Sequence, residues 1–249
     1  WDKDQSWGWQ QNRAVVGHNL KIAWNLMRYY SIDAKDSYKK LAFKIAELMP
    51  EHGYDKQRFG WYDVVDRVKK QGQKFHRYAW HDRKAWWQQE QGILAYFILQ
   101  GLFPENKSYE KYADESAAFY NSFFLDNSDG GVYFNVLSNG MPYLLGTERF
   151  KGSHSMSAYH STELCFLSTV YIDLMTNKRP LDLYFSPLPG GFKDNILRVS
   201  PDILPKGSVK ITGCEIDGEA YSDYNSDLLF VNLPHSTSRL KVKVTLTPV

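Results

Sequence analysis

Three stretches of this 249-residue chain open alike, and their recurrence constrains the fold more than any single motif. The first, GHNLKIAWNLMRYY from Gly17, places Leu20, Ala23, Trp24 and Met27 on one helical stripe. The second, KAWWQQEQGILAYFILQG from about Lys84, is dominated by Trp86, Ile93, Leu94, Phe97 and Ile98. The third, SAYHSTELCFLSTVYIDLM from about Ser157, carries His160, Leu164, Leu167, Tyr171 and Leu174 on one stripe. A more polar helix follows each of the first two. DAKDSYKKLAFKIAELM is expected to be capped by Asp33 and to turn Leu41, Ala42, Ile45, Leu48 and Met49 inward. NKSYEKYADESAAFYNSFF follows Asn106. Each pair then runs into a hairpin-like excursion, GWYDVVDRV from Gly60 and GGVYFNVLSNGMPY from Gly130. The second contains Asn139-Gly140, a strong turn signal, and the two share a Gly-x-Tyr start at Gly60 and Gly131.

The unit is an apolar helix, a polar helix and a strand-rich excursion, recurring at roughly 70 residues. One helix of each pair is apolar enough to be inner and the other amphipathic enough to be outer. Such pairs close most simply into a helical toroid, an α/α barrel. About two and a half pairs are too few to close a ring, so residues 1–180 are expected to be part of a barrel whose missing half lies elsewhere, on the same or a separate chain. Past Pro180 the pattern changes. Pro187-Leu-Pro189-Gly-Gly reads as a linker, and SVKITG, LLFVNL and LKVKVTL alternate apolar and polar residues between PKG, DGE and PHST turns. Residues 181–249 are expected to form a small β-sandwich-like module. Its core is thin enough to call for docking against the helices.

The formal net charge of +2 gives no reason to invoke nucleic acid or an anionic membrane. No apolar run approaches the roughly 20 residues that span a bilayer. Cys165 and Cys214, the two cysteines, read as reduced thiols. The chain begins WDKDQSWGWQ with no recognisable leader, and a cytoplasmic location is the expectation. GxGxxG and GxxxxGK[ST] fingerprints are absent.

His18 and His160 head the first and third inner helices. Each alone reads equally as a packing histidine. If equivalent helix ends share one mouth, the two imidazoles can divide general acid and base roles there. A helix N-terminus also disfavours a protonated His18. His154 lies six residues before His160, off the spacing of a helical zinc pair, and no third ligand stands out, so no metal is expected. Trp86-Trp87-Gln88-Gln89-Glu90 opens the second inner helix and could offer a sugar an indole face beside polar groups, although at least one Trp belongs in the core. Glu90, Glu163, Asp63, Asp66 and Asp129 include no spacing that singles out a glycosidase carboxylate pair. His52, His76, His81 and His235 read as surface or loop residues.

GHNLKIAW (Gly17–Trp24), WWQQEQG (Trp86–Gly92) and FKGSHSMSAYHSTELC (Phe150–Cys165) together resemble the N-acylglucosamine 2-epimerase superfamily, which includes cellobiose 2-epimerases and mannose isomerases. The resemblance runs from about Gly17 to Met175 and fits the family's second half. It implies an (α/α)6 six-hairpin barrel, a mono- or disaccharide substrate and no catalytic metal or cofactor. It also implies two histidines that move a proton at the carbon next to the sugar carbonyl. His18 falls on the first in GHxxE and His160 on the second in YHxxR. Trp87 and Gln89 fall on the stacking and polar positions of WWxQAE, with Trp86 and Glu163 beside them as substrate contacts. Three positions depart: Lys21 stands for the Glu of GHxxE, Gln91 for the Glu of WWxQAE and Glu163 for the Arg of YHxxR. Three functions follow as expectations. One is a sugar epimerase or aldose–ketose isomerase, another a lapsed carbohydrate-binding or regulatory protein, and the third an α/α-barrel glycoside hydrolase or lyase.

Overall fold

The computed structural model describes residues 12–79, 82–151, 155–192 and 194–249. The WDKDQSWGWQ start, His81 and His154 lie outside the described residues. Among the described residues the architecture is five α-helices with several small antiparallel sheets. The chain divides into two compact units, Trp1–Met27 with Lys35–Cys165, and Arg28–Ala34 with Phe166–Val249.

In the first unit, β1 (Arg13–Val15) leads into α1 (Val16–Ile32), whose residues from Arg28 on belong to the second unit, and α2 (Asp36–His52) follows. Next come β2 (Val64–Asp66), β3 (Arg83–Ala85), α3 (Trp86–Leu102), α4 (Lys107–Phe123), β4 (Asn135–Leu137) and α5 (Ala158–Val170), which passes into the second unit at Phe166. α1, α3 and α5 open at Val16, Trp86 and Ala158, at the spacing of the sequence repeat. Leu20, Ala23, Trp24 and Met27 of α1 are all buried, as their stripe predicts. α3 is buried on nearly every side, which its mean composition requires of a helix apolar all round.

Two expectations are corrected. α2 begins at Asp36 after Lys35 and is not capped by Asp33; Leu41 and Leu48 face solvent, while Ala42, Ala46 and Met49 are buried. The excursion strands also pair outside their own segments, although in the second Val136 bridges Pro142 across the Asn139-Gly140 turn. β2 pairs with β1, Arg13 opposite Asp66, and β4 pairs with β3, Arg83 opposite Leu137. Each excursion strand therefore pins the short strand that leads into α1 or α3, and this fixes where the helix starts. The Asn139-Gly140 turn forms, with Gly140 at φ 85° and its N–H donating to Leu137 O.

In the second unit, a π-helical turn (Tyr171–Thr176) precedes β5 (Leu181–Phe185), β6 (Ile196–Arg198), β7 (Val209–Ile216) and β8 (Glu219–Ala220). β9 (Tyr224–Asn225), β10 (Phe230–Asn232) and β11 (Val242–Pro248) complete it. They form a four-stranded sheet in the order β5-β11-β7-β8 and a three-stranded sheet in the order β6-β10-β9. β7 and β11 alternate buried and open residues as read from SVKITG and LKVKVTL. Asp202 is buried beneath a bidentate Arg28 guanidinium and accepts from the Tyr171 hydroxyl at 2.9 Å.

Candidate functional site

The first two N–H groups of α1 are met from distant parts of the chain. Val16 N–H donates to Asp63 O at 3.2 Å, and Gly17 N–H to Gln88 Oε1 at 2.5 Å. Gly17 has to be glycine, because a Cβ there would sit 2.7 Å from Gln88 Cγ and 2.9 Å from the Trp87 ring. This close approach of α1 to α3 sets His18 beside Trp87. At the head of α3, Trp86 N–H donates to Phe134 O at 3.0 Å. The first turn of α5 carries Tyr159 and His160.

Trp87 lies against both imidazoles. Its ring centroid is 5.0 Å from that of His18 and 5.7 Å from that of His160, the second pair stacked. His18, Lys21, Trp87 and His160 line one cleft of about 490 Å³, with Arg83 and Glu148 on its wall. Partial burial, then the charges of Lys21 and His160, lower the pKa of His18. Lys21 stands 3.5 Å from Glu163 Oε2, and Tyr159 O–H donates to Glu163 Oε1 at 3.1 Å. Burial pushes the Glu163 carboxyl up. His160, the Gln91 amide, Lys21 and Tyr159 together outweigh burial and hold it at about 2.

Four consecutive polar side chains of α3, Gln88 to Gln91, are fully buried, and each bonds to different partners. Gln88 joins the start of α1 to Asp63. Gln89 accepts from Trp61 N–H at 2.7 Å and donates to Trp61 O and Ala85 O. Glu90 accepts from the hydroxyls of Tyr120 and Ser161 at 2.7 and 2.6 Å, and burial raises its pKa. Gln91 accepts from Trp24 Nε1–H at 3.0 Å and donates to Glu163 at 3.1 Å. Gln89, expected at a polar substrate position, is thus committed to the backbone of the first excursion. Trp86 lines the cleft but is 3% exposed, packed 4.4 Å from the Phe134 ring; it is the core member of the pair. The sequence did hold the signal for this hub, since four polar residues opening a helix apolar all round must find buried partners.

The carboxylates on the cleft wall, Asp63 and Glu148, both bind Arg83, at 2.6 and 3.0 Å. Among the described residues no group of three or more His, Cys, Asp or Glu side chains could hold a metal, and no helix is long and apolar enough to cross a membrane. His52 and His76 meet edge to face at 4.7 Å in a separate concavity, away from the two histidines on Trp87.

No family model matches the chain, and no curated protein does. Solved structures do. A D-mannose isomerase superposes over 63% of this chain with TM-score 0.54 at 17% identity. A cellobiose 2-epimerase from Bacillus thermoamylovorans covers 64% with TM-score 0.52 at 16% identity. A sugar epimerase from a ruminal bacterium covers 64% with TM-score 0.50 at 15% identity. The chain spans 37%, 37% and 38% of those three proteins' own lengths. At such identities the likeness establishes fold, and in fold the chain is similar to these sugar isomerases and epimerases, as its three motifs lead one to expect.

Proposed function

We propose that this chain carries the acid–base machinery of a sugar epimerase or aldose–ketose isomerase, in which His18 and His160 move the C2 proton of an open-chain sugar. The observation that carries the reading is the pair of imidazoles set against one indole, all three lining one cleft. A partly buried, cation-flanked His18 is neutral near pH 7 and available as a base. Trp87 gives the sugar a surface within reach of both rings. In this reading residues 1–180 are the second half of an α/α barrel, and the β strands from residue 181 form a sandwich-like appendage. The carboxylate-based alternative fares worse, since Asp63 and Glu148 are tied to Arg83.

The test is hydrogen exchange. The natural full-length protein is incubated in D2O with glucose, mannose, N-acetylglucosamine and cellobiose, and the C2 proton is followed by NMR. Loss of that signal is expected, slowed by about 10²-fold or more in His18→Ala and in His160→Ala. Exchange that both variants retain within twofold of about the parent rate would remove the histidines from the reaction. Binding without exchange would instead identify a carbohydrate-binding protein.

A further inference from the structure

RVKKQGQKFHR, from Arg67 to Arg77 in the first excursion, carries five Lys and Arg and no Asp or Glu, in a chain whose formal net charge is only +2. The function proposed above makes no use of this stretch. Its Lys69, Lys74 and His76, with Glu51 and His52 from the last turn of α2, line a concavity of about 370 Å³. The carboxylates facing that space are already paired. Glu51 accepts from Lys56 Nζ at 2.6 Å, and Asp55 from the buried Lys84 at 2.9 Å. Among the described residues Lys69 Nζ reaches the carbonyl of Lys74, at 3.4 Å, and neither lysine has an ion pair. His76 Nδ1 meets the backbone carbonyl of Asp66, which can only accept, so the ring proton sits on Nδ1 and Nε2 is the nitrogen that can gain one. The His76 ring lies 4.7 Å edge to face from that of His52. Burial, then His76 and Lys69, lower the pKa of His52. Two ammonium groups and two protonatable imidazoles thus share one space without a counter-charge of their own, and such a cluster favours an anion. Aromatic rings complete the lining: Tyr62 and Tyr78 stand 4.3 Å apart.

We propose that this concavity binds a sugar phosphate, with the phosphate held by Lys69, Lys74, His52 and His76 and the sugar ring laid against Tyr62 and Tyr78. Phosphate oxygens accept charge-assisted hydrogen bonds from ammonium and imidazolium N–H groups. A tyrosine offers an apolar face beside a hydroxyl, which matches the apolar face and hydroxyls of a sugar. The volume stands at the lower end of the about 300–1,000 Å³ typical of small-molecule sites, which suits one monosaccharide unit. A phosphate dianion beside His52 favours the imidazolium and reverses the effect of burial, so binding takes up a proton. The site is separate from the cleft of His18 and His160 and does not depend on the reaction proposed there.

The natural full-length protein is titrated at low ionic strength with glucose 6-phosphate, inorganic phosphate and glucose, and binding is read by calorimetry and by the imidazole NMR signals of His52 and His76. Glucose 6-phosphate is expected to bind with millimolar or tighter affinity and to move both signals. Inorganic phosphate should bind about 10-fold more weakly, and glucose should leave both signals in place. Near pH 7 the heat of glucose 6-phosphate binding should differ between two buffers of unlike ionisation enthalpy, as proton uptake requires, and the difference should disappear in His52→Gln. Lys69→Ala combined with Lys74→Ala, both exposed, should weaken glucose 6-phosphate and inorganic phosphate about 10-fold or more, whereas Tyr78→Ala should weaken the sugar phosphate alone. No movement of either imidazole signal with millimolar glucose 6-phosphate, a result that needs no variant to fold, would overturn the proposal. Movement confined to His18 and His160 would put the ligand in the other cleft and overturn it too. Equal affinity for inorganic phosphate and glucose 6-phosphate would overturn the role given to the tyrosines.

Discussion

The two excursions of the first unit begin with the same turn, closed by the same clamp, in unlike surroundings. Asp55 accepts from the N–H groups of Gln57 and Arg58 through Oδ1, and Asp126 does so from Ser128 and Asp129. Lys84 Nζ donates to Asp55 Oδ2 at 2.9 Å and to Phe59 O, while Lys151 Nζ donates to Asp126 Oδ2 at 2.7 Å and to Gly130 O. Each lysine lies over the tyrosine of its Gly-x-Tyr, Tyr62 or Tyr133. Yet the Lys84 side chain is 0% exposed, covered by Phe119 at 4.0 Å, and that of Lys151 is 34% exposed. Identical hydrogen bonds thus carry unequal stakes. Burial lowers the pKa of Lys84 to about 8, whereas pairing with Asp126 raises that of Lys151.

The largest effect expected is from Lys84→Met, which strands the buried Asp55 carboxylate and should cost about 3–5 kcal/mol in urea unfolding. Gly130→Ala comes next. Gly130 has φ 74° with open space around it, so the cost of about 1–2 kcal/mol is conformational alone. Its counterpart Phe59 tolerates φ 68° as a non-glycine, so the first turn carries that strain already. A smaller effect is a pH signature. Between about 8 and 10.5 the unfolded chain holds a proton on Lys84 that the native chain has lost, so stability should rise with pH across that window. The rise should vanish in Lys84→Met and persist in Lys151→Met. Smallest of all, Lys151→Met should leave the unfolding midpoint within error of the parent, because an exposed pair is screened by water. A large loss there would mean the second clamp is covered by something outside this chain.

Much of this was legible in the sequence, for reasons that differ by residue. The stripes of α1 and the alternation of β7 and β11 follow from local periodicity, which a chain carries openly. The Gly-x-Tyr match announced the paired turns, but the aspartates five residues upstream and their distant lysines were not read. The β1–β2 and β3–β4 pairs were missed because antiparallel registry between segments tens of residues apart leaves no period. Glycine at 17 and the histidines at 18 and 160 marked the cleft. Gln89 was misread because a polar residue beside a tryptophan looks the same in sequence whether it serves a ligand or the backbone of Trp61.

The run from Gln88 to Gln91 has a consequence for how the first unit assembles. Its partners lie 71, 28, 30 and 67 residues away for Gly17, Trp61, Tyr120 and Trp24. An α3–α4 pair folding by itself would satisfy Glu90 through Tyr120 of α4 but bury Gln88 and Gln91 with nothing to bond and Gln89 with only Ala85 O, so closing this helix early is disfavoured. Loop closure from both directions must come first, which makes for slow folding and an all-or-none unit. In native-state amide exchange the first turns of α1 and α3 should open together, at one free energy, although seventy residues of chain separate them.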